Sequence, residues 1–250
     1  MTSPVLRSEF RSKRSSTKYL LCFLVCALLS VALIAAALWF WGAKEVRGQF
    51  DGVSFLTSIG ALWLVFGHAL YPWLGLSVRD DAIERKNPAA LMALSGALLA
   101  MAITFAAGNL GEGPSYWENV FCAGLATGGL FVLWIALELG GRVSVSIAEE
   151  RDLASGLRCG GLLLAWGLIL GRAATGNWHS CAQTVHDFFR DGWFAASLLP
   201  IALAVEPFLR PSRARPFPSW LVCGMLLALF YLAAAAVWLW HLGRWEGMPR

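Results

Sequence analysis

The sequence predicts an all-α fold, a polytopic membrane helix bundle of about seven transmembrane helices built from repeated helical hairpins. The first observation is composition. Of the 250 residues, 58% are hydrophobic and only 14% are charged, where a soluble domain carries about 25% charged residues; mean hydropathy is +0.60. So few charges cannot clothe a water-exposed surface. The second observation is the spacing of those charges, which leaves uncharged runs longer than the roughly 18 residues that make a transmembrane candidate. The third is a recurring punctuation, with short charged loops at Arg79–Lys86, Arg142–Asp152 and Arg210–Arg215, each between two apolar segments. One helix followed by three hairpins fills the chain, so residues 1–250 read as a single integral membrane domain.

Residues 1–18 carry Arg7, Arg11, Lys13, Arg14 and Lys18 and read as a basic cytoplasmic tail. Tyr19–Ala43 is then uncharged for 25 residues, longer than the roughly 7–15-residue apolar core of a signal peptide. It ends in Leu38-Trp39-Phe40-Trp41 without a small-residue cleavage site, so 19–43 reads as a retained signal-anchor helix with its tryptophans in the far aromatic belt. Hairpin 1 (52–111) joins Gly52–Val78, uncharged for 27 residues, to Asn87–Gly111, uncharged for 25. Hairpin 2 (118–177) joins Asn119–Leu137, uncharged for 19, to Leu153–Gly176, which contains Arg158 and Arg172. Hairpin 3 (192–243) joins Gly192–Leu209, with only 14 uncharged residues before Glu206 and Pro200 in its middle, to Pro216–Gly243, uncharged for 28. Both weaker legs are assigned as spans, because losing either would put the charges of its loop on the wrong side of the bilayer.

Orientation follows from Lys and Arg. With the N-terminus inside, 14 of the 20 fall on the inner side and six, Lys44, Arg47, Arg172, Arg190, Arg244 and Arg250, on the outer side. The positive-inside rule then places the N-terminus and all three hairpin loops in the cytoplasm and the C-terminus outside.

Sliding the second hairpin 65 residues onto the first aligns Glu84 with Glu149, Ala89 with Ala154, Gly96 with Gly161 and Leu98-Leu99-Ala100 with Leu163-Leu164-Ala165, while Asn87 meets Asp152. An internal, parallel repeat is expected, with Gly96 and Gly161 at equivalent faces. The run Ile83-Glu84-Arg85-Lys86-Asn87-Pro88-Ala89-Ala90, followed by Leu94-Ser95-Gly96-Ala97-Leu98-Leu99, resembles the signature of the YjfL-like family of bacterial inner-membrane proteins, a domain of unknown function. Ile147 to Gly156, Gly167-Leu168-Ile169 and Ala173-Ala174 are similar to that family's second repeat, and the resemblance spans roughly 55–177. The chain departs from the pattern at Asp152 and Arg172, where the family has Asn, and adds an N-terminal helix and a third hairpin. The resemblance implies a multi-pass protein of the bacterial inner membrane without an established activity.

Four polar side chains fall at membrane depth. Arg158 and Arg172, fourteen positions apart on one helix, lie about 21 Å apart along the axis and about 40° apart around it. They either snorkel to the two headgroup regions or, since the repeat puts them where Ala93 and Ala107 stand in a small-residue stripe, meet a protein group, lipid or substrate. Glu138, at the end of the fourth span, is expected to hold Arg158, and Glu118 is the carboxylate nearest Arg172 by topology. Glu206 is expected to be interfacial or arginine-paired, and His68 to be a packing residue or proton relay. A second stripe, Gly156, Gly160, Gly167 and Gly171, lies opposite the arginines within about 60° and suits close helix packing, either within the chain, with Gly124 and Gly128 as the candidate partner, or with a second copy. Gly96 lies in the small-residue stripe of the third span with Ala89, Ala93, Ala100 and Ala107.

His179, Cys181, His186 and Asp187 match no usual zinc spacing, and no phosphate loop, catalytic triad or HExxH pattern is present. No cofactor, metal, catalytic residue or nucleic-acid partner is expected; the basic tail serves topology and anionic lipid. The expected partners are the lipid bilayer and a second copy or another membrane protein. Two functions remain: a non-enzymatic protein acting through helix packing, or a small transporter or channel using the arginine face. The topology is testable with a reporter fused after Arg250, which should be active outside the cytoplasm; activity inside would remove Gly192–Leu209 from the spans.

Overall fold

The computed structural model describes residues 4–212, 218–245 and 248, with side chains from Ser16 onward. The first residues of the basic tail, 213–217 in the third charged loop, and Arg250 lie outside the described residues. Among the described residues the fold is all-α, and seven helices are long and apolar enough to cross a membrane: α1 (Pro4–Trp41), α2 (Phe50–His68), α3 (Pro88–Ala107), α4 (Tyr116–Gly141), α5 (Leu153–Ala173), α6 (Cys181–Leu209) and α7 (Leu226–Leu242), the last counted from Trp220. A π-helical segment, Trp220–Met225, leads into α7.

Three helices exceed their expected bounds. α1 runs from Pro4, so the segment expected as a tail continues the anchor helix. Proline is tolerated in a first turn, and Arg, Lys, Leu and Glu are good helix formers. Glu138 lies inside α4, which ends at Gly141 rather than at the first charge. α6 starts at Cys181, because the Ser180 hydroxyl caps it by accepting from the Gln183 N–H at 3.2 Å. Its 29 residues span about 43 Å, beyond the ~30 Å hydrocarbon core, so His186, Asp187, Arg190 and Asp191 stand on a projecting helical stem instead of in a loop.

α3 and α5 form the centre: 78% of their spanning residues are buried, against 17% in α1 and 28–39% in the other four. α1, α2 and α4 pack on α3, while α4, α6 and α7 pack on α5. The two central helices approach so closely that side chains would not fit between them. A Cβ on Gly96 would lie 2.5 Å from the Gly160 Cα, one on Gly160 2.8 Å from the Met92 carbonyl oxygen, and one on Gly167 2.8 Å from the Ala100 Cα. Gly156 sits against the backbone of Ala89, and Gly171 against Ile103 and Ala107. The five glycines read from the sequence as packing residues therefore lie in one seam within the chain, Gly96 on α3 against α5 and the other four on α5 against α3. Gly124 and Gly128 do not serve as that partner: only the tip of Trp63 comes within 4 Å of a Cβ on Gly124, and nothing does at Gly128.

The loops before α3 and α5 share one construction. Each is a π-helical turn, Val78–Glu84 and Val145–Glu149, and each ends in a left-handed residue, Lys86 at φ 54° and Arg151 at φ 55°. Asn87 then caps α3, accepting from the N–H groups of Ala89 and Ala90 at 2.9 and 3.3 Å, and Asp152 caps α5, accepting from Ala154 and Ser155 at 3.3 and 2.8 Å. The Asn87 and Asp152 N–H groups donate to Asp81 and Ser146 at 3.3 and 3.0 Å. The loops also bind each other: the Asn87 amide donates to the Ile147 carbonyl and the Arg151 guanidinium to the Arg85 carbonyl, both at 2.6 Å. Deeper in the helices the correspondence ends, since Gly96 faces Gly160 whereas Gly161 faces Ala228 of α7. The different neighbour follows from α7, which covers that face of α5.

The seam is open to a direct test. Gly96→Val and Gly167→Val should each destabilise the protein by about 1–3 kcal/mol or more through overpacking, seen as a lower thermal midpoint in detergent, while Gly128→Ala should leave it unchanged. Equal midpoints for all three would contradict the close approach of α3 and α5.

Candidate functional site

α5 carries a polar group near each end. At the end beside the π-turn loops, Asp152, Ser155 and Arg158 form a ladder along one face. The Ser155 hydroxyl donates to the Asp152 carboxylate at 2.6 Å and accepts from Arg158 Nη2 at 3.0 Å. Arg158, 4% exposed, does not meet Glu138. It pairs with Glu206 of α6, donating from Nη2 to both carboxylate oxygens at 2.9 Å and from Nε at 3.3 Å, while Nη1 donates to the Cys223 carbonyl at 2.7 Å. The carbonyl lies in the π-helical entry to α7, where altered bonding frees backbone groups from the ordinary ladder. Glu138 instead accepts from the backbone N–H of Ser144, at 2.9 Å, and from its hydroxyl, closing the turn after α4. A short carboxylate link to the loop six residues away satisfies Glu138 locally and leaves Arg158 to Glu206.

The pair is fully engaged. The remaining space beside it, bounded by Leu137, Val143, Leu162 and Tyr231, is a cavity of about 10 Å³, room for roughly one water. A bidentate arginine–carboxylate pair with its other donors satisfied is the form in which charge can be buried.

At the opposite end the arrangement is different. Arg172 is half-buried beside a polar cleft of about 320 Å³ lined by the ends of α5, α6 and α7 and by the segment after α5. Its Nη2 donates to the Gly243 carbonyl at a long 3.4 Å, and its Nε is buried without an acceptor. Glu118 does not approach it, because its carboxylate closes a capping box at the start of α4, accepting from the Ser115 N–H and hydroxyl at 2.9 and 2.6 Å. Among the described residues, the acidic groups in the cleft are Asp187 and Asp191. Arg190 binds both, at 2.9 and 2.8 Å. Trp245 also lines the cleft, and its Nε1 is another buried donor without an acceptor; each such donor costs about 1–3 kcal/mol.

The other candidates are local. His68 ends α2 with Nδ1 2.6 Å from the Val65 carbonyl of the same helix, so it closes its own last turn. His179 and Asp187 line the cleft, but among the described residues no group of three or more His, Cys, Asp or Glu could hold a metal ion. The six cysteines are free.

Sequence reasoning missed two features, Glu206 as the partner of Arg158 and the Arg190–Trp245 side of the cleft. The first had a signal. At the 65-residue offset, Asp152, Ser155 and Arg158 replace Asn87, Ala90 and Ala93, three coordinated polar changes one turn apart, which mark a face of α5 with a polar partner that the first hairpin lacks. The cleft had none, since its walls come from segments some 70 positions apart.

The chain belongs to the family described as Domain of Unknown Function (DUF350), whose pattern matches residues 46–174. No curated protein and no solved structure matches it. The match takes in α2 to α5 together with both arginines, and stops before Glu206, Cys223 and the stem of α6. The Arg158 network thus ties the family unit to a third hairpin outside it.

Removing one partner tests this tie. Glu206→Ala should cost about 3–5 kcal/mol by stranding a buried guanidinium, and the pair Arg158→Met with Glu206→Leu should recover most of it, both read from thermal unfolding of the purified protein. An unchanged midpoint in Glu206→Ala would place Arg158 elsewhere.

Proposed function

We propose that this multi-pass DUF350 protein is a non-catalytic binding protein of the bacterial inner membrane, allied to the YjfL-like group, with its N-terminus and π-turn loops in the cytoplasm and its C-terminus outside. Its solvent is the bilayer, and its working surface is the cleft around Arg172 on the outer side. Internal duplication accounts for the shared loops: the turns before α3 and α5 each end in a left-handed residue and a side-chain cap, Asn87 and Asp152, and α5 differs by carrying polar groups at both ends.

The single observation that carries this reading is the contrast between the two arginines. Arg158, 4% exposed, is held by Glu206, Ser155 and the Cys223 carbonyl, as a structural group is, whereas Arg172 is half-buried beside a polar cleft and reaches the Gly243 carbonyl only at 3.4 Å. Transport through the arginine face is less well supported. Leu162, Leu163, Trp166 and Ile169, all buried, fill α5 between the two guanidinium groups. A second reading, packing with another copy or a membrane partner, is favoured by Gly124 and Gly128, whose small-residue face on α4 stays open while the other glycines are used inside the chain.

A ligand screen separates these readings. Purified protein in detergent, tested against anionic, cationic and zwitterionic small molecules, should show saturable rises in thermal midpoint for one class, abolished by Arg172→Ala and reduced by Asp191→Asn. No response from the wild type, or responses that ignore both substitutions, would refute the cleft reading. Self-association lost in Gly128→Leu would then favour packing.

A further inference from the structure

At the Arg172 end of the bundle, Cys122 lies in the second turn of α4 and Cys181 at the start of α6. The two helices run in the same direction, and three contacts fix their register. The Phe121 ring meets the Trp178 ring edge-on with centroids 5.5 Å apart, a Cβ on Gly129 would lie 3.1 Å from the Phe188 ring, and one on Gly140 would lie 2.9 Å from the Leu203 side chain. Cys122 stands seven residues before Gly129, and Cys181 seven before Phe188. Seven residues return a helix to within about 20° of the same face, so the cysteines are level with each other and on the facing sides of α4 and α6. The cleft walls agree, since Cys122 shares them with His179 and Thr184, which flank Cys181. The two thiols also interact electrostatically.

We infer that Cys122 and Cys181 are the two halves of a disulfide that ties the stem of α6 to α4. Both are thiols in this structure, Cys181 exposed and Cys122 buried, so an oxidant reaches Cys181 first. The Cys181 thiolate attacks a disulfide reagent, forming a mixed disulfide and releasing one thiol; the Cys122 sulfur then attacks the Cys181 sulfur, the protein S–S bond forms and the second thiol leaves. Two protein thiols are oxidised, the reagent takes both electrons, and the two protons end on its two thiols. The bridge joins the family unit, which contains Cys122, to the stem outside it, as the Arg158–Glu206 pair does at the other end of α5. Its formation in the cell rests on the orientation proposed above, which puts both cysteines on the oxidising side of the membrane.

The test has two arms. In the first, the full chain is reduced in maltoside micelles, freed of reductant and exposed to oxidised glutathione, then denatured, and its remaining thiols are counted with a maleimide polymer that shifts the band once per thiol. Two fewer of the six thiols should react than in the reduced sample, and a digest analysed by mass spectrometry should contain a peptide linking Cys122 to Cys181. Cys122→Ser should stop at the mixed disulfide, with glutathione retained on Cys181. A digest without the linked peptide, or with either residue linked to a different cysteine, overturns the inference; this readout uses the wild type and does not depend on the variant folding. In the second arm, cells are quenched with acid and blocked with N-ethylmaleimide, and the same peptide should appear without added oxidant. A pair that closes with oxidised glutathione yet is absent from quenched cells leaves the pairing standing and overturns the orientation.

Discussion

The rest of the structure depends on the backbone contact between α3 and α5. Two helices can approach at Cα-to-Cα distances only where side chains are absent, and here Gly96, Gly156, Gly160 and Gly167 are interleaved with Ala89, Ala93 and Ala100. In lipid there is little hydrophobic force to drive helices together, so the attraction comes from dense van der Waals contact over a long seam. The seam also sets the orientation of everything else. With α3 applied to its glycine face, α5 presents its arginine face to α6 and α7, and the loops before α3 and α5 come close enough for Asn87 to reach Ile147 and for Arg151 to reach Arg85.

On that scaffold the Arg158 network is the second tie. A single buried guanidinium engages a carboxylate from α6, a carbonyl from the π-helical entry to α7 and a hydroxyl from its own helix. This is a large directional contribution in a bundle whose other contacts are mostly apolar, and it fixes which helices face α5. It also explains Asp152. An asparagine there would retain the cap, as Asn87 does, but a carboxylate additionally accepts from Ser155, which orients the hydroxyl oxygen toward Arg158. Trp166 and Trp238 add further bonds, donating to the carbonyls of Ala195 and Asp191, both at 2.8 Å.

How much of this is legible in the sequence depends on the range of each interaction. The seven spans are legible because lipid tolerates few charges, so gaps between charges mark the helices even in the leg with Pro200. The helix starts at Asn87 and Asp152 are legible because capping is local. The glycine stripe is legible as a packing face, but not its partner: Gly124 lies on the neighbouring helix in the same hairpin, yet the contact is made with α3, one hairpin earlier. Glu138 and Glu206 both end helices near Arg158, and choosing between them requires knowing that Ser144 folds back on Glu138. The start of α6 at Cys181 is marked by one hydroxyl at Ser180, and the stem that begins there carries Arg190 and Asp191 into the cleft that Arg172 also lines.

On the proposed function, α5 has one structural arginine and one binding arginine. A cryo-electron-microscopy structure of the full chain in phospholipid nanodiscs, at a resolution that separates side chains, tests it most directly. The prediction is Arg158 forked onto Glu206 and non-protein density at about 3 Å from the Arg172 guanidinium, within hydrogen-bonding range. Arg172 extended into the headgroup layer with no density in the cleft, or Arg158 turned to Glu138, would contradict it.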